Sequence, residues 1–393
     1  MQNTNSFYSA DYIFPVVGNP LLEGVVEVDP TGTIIRLYSD RTLLPGHANV
    51  TIHKGIIVPG FINAHCHLEL SHMKGRLPTG LGLTSFIEQV MRQRQASSEE
   101  LDEAMASADQ EMYLRGIVAV GDHVNTLNSL DIKKSSRLRY HTFIELLGFD
   151  PSRAQEIYNR SLALKAQWVG SCSITPHAPY SVSKDLLKLL KKDAELTVNP
   201  LSIHNQETEE ENKFFRYKEG KFLDFFKNIQ QNIDSFKAQA KSSLQTYLTF
   251  LNQNQPLMLV HNTFTSAKDL SFSERLNRKI TWCFCPKANL YIEGTLPKID
   301  HFRSSTGKIA LGTDSLASND TLCILTELKT LHAHYPELQL VETISWATLH
   351  GAQHLQFDKE LGSIEVGKKP GLNLLEHVDG MNITANSSVR KLC

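Results

Sequence analysis

The chain has 393 residues, 41% of them hydrophobic and 21% charged, with a formal net charge of −2. This is the composition of an ordinary folded chain long enough for a barrel with a small appendage, and a charge this close to zero gives no electrostatic pull toward nucleic acid or anionic membrane. No apolar run reaches the roughly 20 residues needed to cross a bilayer, and the N-terminal MQNTNSFYSADYIF lacks a basic segment followed by an apolar core, so the expected location is cytoplasmic.

Residues 1–54 carry short strand-like runs, with Asp29-Pro30 and Thr31-Gly32 as hairpin punctuation. Beyond them, short apolar β-branched runs alternate with longer helical patterns, the signature of a βαβ array. The strand candidates are Gly55–His67, Gly116–His123, Tyr140–Leu147, Ser171–His177, Pro200–His204, Pro256–His261, Lys279–Cys285 and Lys308–Asp314. Helical stretches such as Ser85–Arg115, Pro151–Trp168 and Ser183–Ala194 separate most of them. Seven of these eight runs have His, Glu or Asp at or near the C-terminal end. A parallel barrel opens all those ends on one face, where such folds place their chemistry. No Gly-rich dinucleotide fingerprint follows the first strand, which removes the main support for a doubly wound sheet. The expected class is α/β, a (β/α)8 TIM barrel over residues 55–355. The segment LGSIEVGKKPGLNLL reads like the N-terminal runs. Neither end buries a face alone, so residues 1–54 and 356–393 are expected to pair as one small β-sandwich.

About fifty residues separate His204 from Pro256, far more than a normal βα linkage. The 207–255 segment opens with the acidic Glu207–Glu211 stretch and continues through Phe214, Phe215, Phe222, Phe225 and Phe226. Two readings stand side by side: a helical hairpin packing its own aromatics, or a lid over the active face. The six cysteines are scattered through the chain and read as reduced, buried thiols.

His65-Cys66-His67 is the centre of the functional reading. Histidines at i and i+2 at a strand end point the same way, so both imidazoles reach one ion. His204, His261 and Asp314 end three later strands. Three histidines and an aspartate offer mixed nitrogen and oxygen ligation suited to Zn2+ or Fe2+ with a position left for water. His67-Leu68-Glu69 matches the H-x-E of the zinc cytidine deaminases, but their P-C-x-x-C is missing. His67 and His72 lack H-E-x-x-H spacing.

Taken together, PGFINAHCHLELSHMKG, TPHAPYS, the Ile203–Glu211 segment, LVHN and GTDSLASN resemble the amidohydrolase superfamily. More narrowly they are similar to its cytosine deaminase, chlorohydrolase and adenosine-type nucleoside deaminase branch. HLELS and FIELLGF are similar to enzymes that deaminate aminodeoxyfutalosine. The resemblance implies a hydrolytic deaminase of a small amino-heterocycle, a purine or adenosine-type nucleoside. The alternatives are a chlorohydrolase, another C–N hydrolase, or a binding protein with a vestigial site. Binuclear barrel hydrolases carry a bridging lysine, and Ser171–Tyr180 contains none, so a single divalent metal is expected, on His65, His67, His204 and Asp314. Glu207, three residues after His204, suits a general acid/base. His261 orients the attacking group or serves as a further ligand, and Asp314 also moves a proton. His177 contacts substrate in the resembling deaminases. Glu145 and Glu69 are candidates for hydrogen bonds to the heterocycle or ribose, beside a purely structural reading. Homodimers are frequent in the family and are an expected assembly.

Overall fold

Eight parallel strands, each leading into helix, form the body of the computed structural model, which describes residues 5–46, 48–194, 197–276 and 279–393. The strands are β1 (Phe61–Cys66), β2 (Ile117–Val124), β3 (Arg139–Leu146), β4 (Ser171–Pro176), β5 (Leu201–Asn205), β6 (Leu257–His261), β7 (Ile280–Phe284) and β8 (Lys308–Leu311). They pair in chain order as two four-stranded halves, β1 to β4 and β5 to β8. Backbone bonds join the halves at both seams. The His204 amide donates to the His177 carbonyl, and the amides of Thr313 and Asp314 both donate to the His65 carbonyl. The closed ring of eight parallel strands with its surrounding helices is a TIM barrel. Small and medium apolar side chains fill the lumen, among them Ile62, Ala64, Ala119, Phe143, Met258, Val260 and Ala310. The outward-facing strand residues pack against the helical ring in the largest buried cluster.

The Gly55–His67 run is two strands rather than one. Ile56–Pro59 pairs antiparallel with Leu372–Glu376 in a five-stranded sheet outside the barrel, and the chain then turns at Gly60 into β1. A Cβ at Gly60 would lie 2.3 Å from Val118 Cγ1 and 2.6 Å from the Pro370 carbonyl, so only glycine passes between barrel and appendage here. Ser6–Ser9, Val25–Val28, Ile34–Tyr38 and Val50–Ile52 form a second, four-stranded sheet. The two sheets bury Ile13, Val26, Ile34, Ile57, Leu372 and Leu374 between them. Residues 1–4 and 47 of the N-terminal segment lie outside the described residues.

The helical stretch expected over Ser85–Arg115 is also two elements, Leu83–Gln93 and Ser98–Leu114, the second capped by Ser97. In the 207–255 segment, helices Glu209–Tyr217 and Lys221–Asn228 pack against each other, and the second packs onto Leu83–Gln93. Phe214, Phe215, Phe222, Phe225 and Phe226 are all buried there, in one cluster with Leu83, Phe86, Phe149 and Tyr180. The segment is thus a helical hairpin held by its aromatics, and it stands above the C-terminal ends of the strands. All six cysteines are free. Among the described residues no helix is long and apolar enough to cross a membrane.

Candidate active site

His65 reaches the mouth of the barrel through a bulge. Ile62 pairs with Ala119 and Asn63 with Val120, but Cys66 pairs with Asp122, so Ala64 and His65 together face the single residue Gly121. The extra residue resets the alternation: Ala64 points into the lumen and His65 does too, which strict alternation forbids. A Cβ at Gly121 would come within 2.4 Å of the Ala64 carbonyl, so the bulge needs glycine opposite it. Gly312 serves the other side of the seam, where a Cβ would lie 2.7 Å from His65 Cβ. Strand ends elsewhere curl into the left-handed region at Gln206 (φ 45), His261 (φ 71), Asn262 (φ 57) and Asp314 (φ 58). Such backbone costs about 1–3 kcal/mol per residue and gathers at functional sites; here it aims side chains at the mouth.

The imidazoles converge. His67 Nε2 lies 3.1 Å from His204 Nε2, and Asp314 Oδ1 lies 3.7 Å from both His65 Nε2 and His67 Nε2. His204 Nδ1 donates to the His177 carbonyl at 2.8 Å, which leaves its Nε2 lone pair toward the centre. Asp314 Oδ2 accepts from Ser318 Oγ at 2.6 Å, leaving Oδ1 inward. Both ring nitrogens of His65 are buried without a hydrogen-bond partner, an expensive state for a histidine unless an ion takes the lone pair. Ligand atoms of His65, His67 and His204 lie within 4.8 Å of one another, as do those of His65, His261 and Asp314. Burial pushes His65 and His204 well below the usual imidazole range and His67 down to about 4, so all three are neutral donors. The donor set fits a divalent metal.

Beside it, Glu207 Oε1 stands 3.6 Å from His261 Nε2. Burial, joined by the nearby carboxylates of Asp314, Glu293 and Glu211, pushes Glu207 well above the usual carboxylate range. Glu145 accepts from His123 Nδ1 at 2.9 Å and from Asn125 Nδ2 at 2.6 Å, and lies 3.9 Å from His204 Nδ1. His177 Nδ1 pairs with Ser181 Oγ at 2.8 Å. A cavity of about 280 Å3 opens over this group, lined by His67, Asn125, Glu145, His177, Tyr180, His204, Glu207, His261 and Asp314, and by Leu83–Arg94 side chains including Phe86 and Arg94. A second chamber of about 310 Å3 shares Ile87, Met91, Leu147, His177 and Tyr180 with it and continues to Phe149, Phe225, Phe226, Arg153 and Arg160.

Eight of the nine candidate residues thus meet in one place. Glu69 does not line the cavity: its carboxylate accepts from the Asn125 amide and Thr126 Oγ1 and holds the loop after β2. Sequence reasoning assigned no role to His123, which links Glu145 to Ser202 Oγ at 2.8 Å; its place at the end of β2 was the available signal. Asn125, which donates to Glu145, was missed too, and it does not end a strand candidate.

Comparison with known proteins places this geometry among relatives. An adenosine deaminase of Helicobacter pylori is 27% identical over 348 residues, covering 86% of this chain and 83% of that protein. The crystal structure of Helicobacter pylori aminofutalosine deaminase with methylthio-coformycin superposes at TM-score 0.83 and 23% identity, covering 96% and 93% of the two chains. An adenosine deaminase of Xanthomonas campestris, solved with bound zinc, superposes at TM-score 0.73 and 21% identity over 95% and 84%. Residues 56–390 match the model of the amidohydrolase family, and the chain belongs to that family.

Proposed function

We propose that this chain is a metal-dependent hydrolase that deaminates an adenosine-type nucleoside bearing a bulky 5′ substituent, an aminodeoxyfutalosine-like compound being the first candidate. The observation that carries this reading is a buried Glu207 3.6 Å from His261, at the rim of the His65, His67, His204 and Asp314 cluster, in a cavity that continues into a second chamber. Those four residues would hold one divalent ion, Zn2+ being the choice favoured by nitrogen-rich ligation and by the zinc in a structural neighbour. When bound, such an ion lowers the pKa of water toward neutrality and makes a nucleophile available.

The chain's own groups do the rest. Glu207 gives its proton to a ring nitrogen of the heterocycle, making the amino-bearing carbon more electrophilic. His261, whose Nε2 lies 3.6 Å from Glu207 Oε1, holds the attacking oxygen in line. Asp314, with its second oxygen fixed by Ser318, takes up a proton and passes it to the departing ammonia. Asn125 and Glu145 present a donor and an acceptor side by side and suit a ribose hydroxyl, while His177 closes the wall between the two chambers. The outer chamber, lined by Phe149, Phe225 and Phe226, accepts an apolar or aromatic substituent. Plain adenosine would leave that chamber empty.

The test is ammonia release from adenosine, methylthioadenosine, aminodeoxyfutalosine and guanine, with chloride release from a chloro-triazine alongside, using zinc-loaded protein and a Glu207→Gln control. Turnover of a 5′-extended nucleoside above adenosine, abolished in the control, supports the reading. Chloride without ammonia, or no product at all, overturns it.

A further inference from the structure

The helix Pro286–Glu293 starts directly after β7, and its side chain Asn289 packs under His261. Asn289 Oδ1 lies 2.9 Å from His261 Nδ1, and Asn289 Nδ2 lies 3.4 Å from the His261 backbone carbonyl. These two contacts settle each other. A carbonyl only accepts, so the amide nitrogen belongs on it and the amide oxygen belongs on the ring. An amide oxygen also only accepts, so Nδ1 of His261 must carry the hydrogen. His261 and Asn289 are 1% and 2% exposed, which leaves no room for water to take over either contact.

We propose that Asn289 is a positioning residue that locks His261 in its Nδ1–H tautomer and so keeps the Nε2 lone pair facing Glu207 and the reacting centre; the catalytic side of this assignment rests on the deaminase reading above. With the opposite tautomer, Nε2 would present a hydrogen to the centre, and the acceptor that orients the attacking group would be lost. The helix that carries Asn289 is itself tied to the other catalytic arm. The Lys287 amide donates to Glu327 Oε2 at 2.9 Å, while Glu327 Oε1 accepts from Asn319 Nδ2 at 2.9 Å. Asn319 Nδ2 also donates to the Thr313 carbonyl at 2.9 Å, next to Asp314. One buried carboxylate therefore sets the register of the Asn289 helix and of the Asp314 turn together.

The experiment has a readout independent of turnover. Long-range 1H–15N spectra of 15N-histidine-labelled, metal-free protein report each tautomer, with His261→Gln identifying the resonance. The wild type should show Nδ1–H at His261. Asn289→Leu, which fills the space and offers no acceptor, should move His261 toward Nε2–H and lower kcat about 10–100-fold with KM within about twofold, the scale of losing a group that orients another. Asn289→Asp, which restores an acceptor, should return both the Nδ1–H signal and most of kcat. Retention of Nδ1–H in Asn289→Leu, or failure of Asn289→Asp to rescue, overturns the assignment. Should the leucine variant not fold, Asn289→Ala is read by the same spectrum with the same two outcomes. A wild type that shows the expected tautomers yet deaminates nothing in the panel counts against the deaminase reading and leaves the tautomer lock standing.

Discussion

Lys133→Met is the perturbation whose cost the structure states most directly. Lys133 Nζ lies 2.6 Å from Asp122 Oδ2, with the two side chains 6% and 0% exposed. The other Asp122 oxygen accepts from the Leu68 amide at 2.7 Å, the residue after His67. Lys133 is further held over the rings of Trp168 and Tyr140, at 4.6 and 5.2 Å. Removing the cation leaves a buried carboxylate without a counter-charge, which costs about 3–5 kcal/mol. Spread over an unfolding entropy of about 2.1 cal/mol/K per residue, that corresponds to a fall in Tm of about 4–6 °C for a chain of this length. Methionine fills the same apolar slot between the rings, so the loss reads the charge rather than the packing. The control is Lys133→Met with Asp122→Asn, which removes both charges and keeps an acceptor for Leu68; it should recover most of the Tm. Differential scanning calorimetry on the two variants is the assay, with metal affinity measured in parallel because the Leu68 contact anchors the His65–His67 turn. A single variant that melts within about 1 °C of wild type, or a double variant no better than the single, refutes the reasoning.

Glu207→Gln should lower kcat for ammonia release by about 10²–10⁴-fold with little change in KM, the usual scale for losing a general acid, and a loss of under tenfold counts against its role. Gly312→Ala, whose Cβ would lie 2.7 Å from His65 Cβ, should weaken zinc binding at least tenfold in a competitive chelator titration; unchanged affinity counts against the seam geometry. Burial pushes Glu211 up to about 7, above its unfolded value, so its contribution is fully present at acid pH and is lost as pH rises toward and through 7. Glu211→Gln should therefore flatten the fall of Tm between about pH 4.5 and 7, and an unaltered slope sinks the idea. Chelation should abolish turnover and lower Tm, and added Zn2+ should restore both.

The barrel was legible because its strands change character at their ends: apolar through Leu259 and Val260, then His261; apolar through Ile309 and Ala310, then Asp314. What stayed hidden depends on partners distant in sequence. The bulge that turns His65 inward needs Gly121, and nothing near either residue announces the pairing. Glu69 looked like a substrate contact because it follows the histidine pair, but its oxygens are taken by Asn125 and Thr126 from the next strand's loop. Asn289 sits inside a helix, where an asparagine carries no local signal of a buried acceptor. The break at Gly60 was invisible because both flanking strands are apolar and only tertiary pairing separates them.

The seam between β1 and β8 has a consequence for how the molecule comes into being. His65 and His67 leave the ribosome roughly 250 residues before Asp314, and His204 falls between them. Until β8 is made, the first strand lacks its neighbour on one side, and the His65 carbonyl lacks both amides that it accepts from. The appendage waits as well, since Ile56–Pro59 needs Leu372–Glu376 beside it. A half-synthesised chain thus holds His65 and His67 without the backbone partners and the Asp314 side chain that set the geometry of the site.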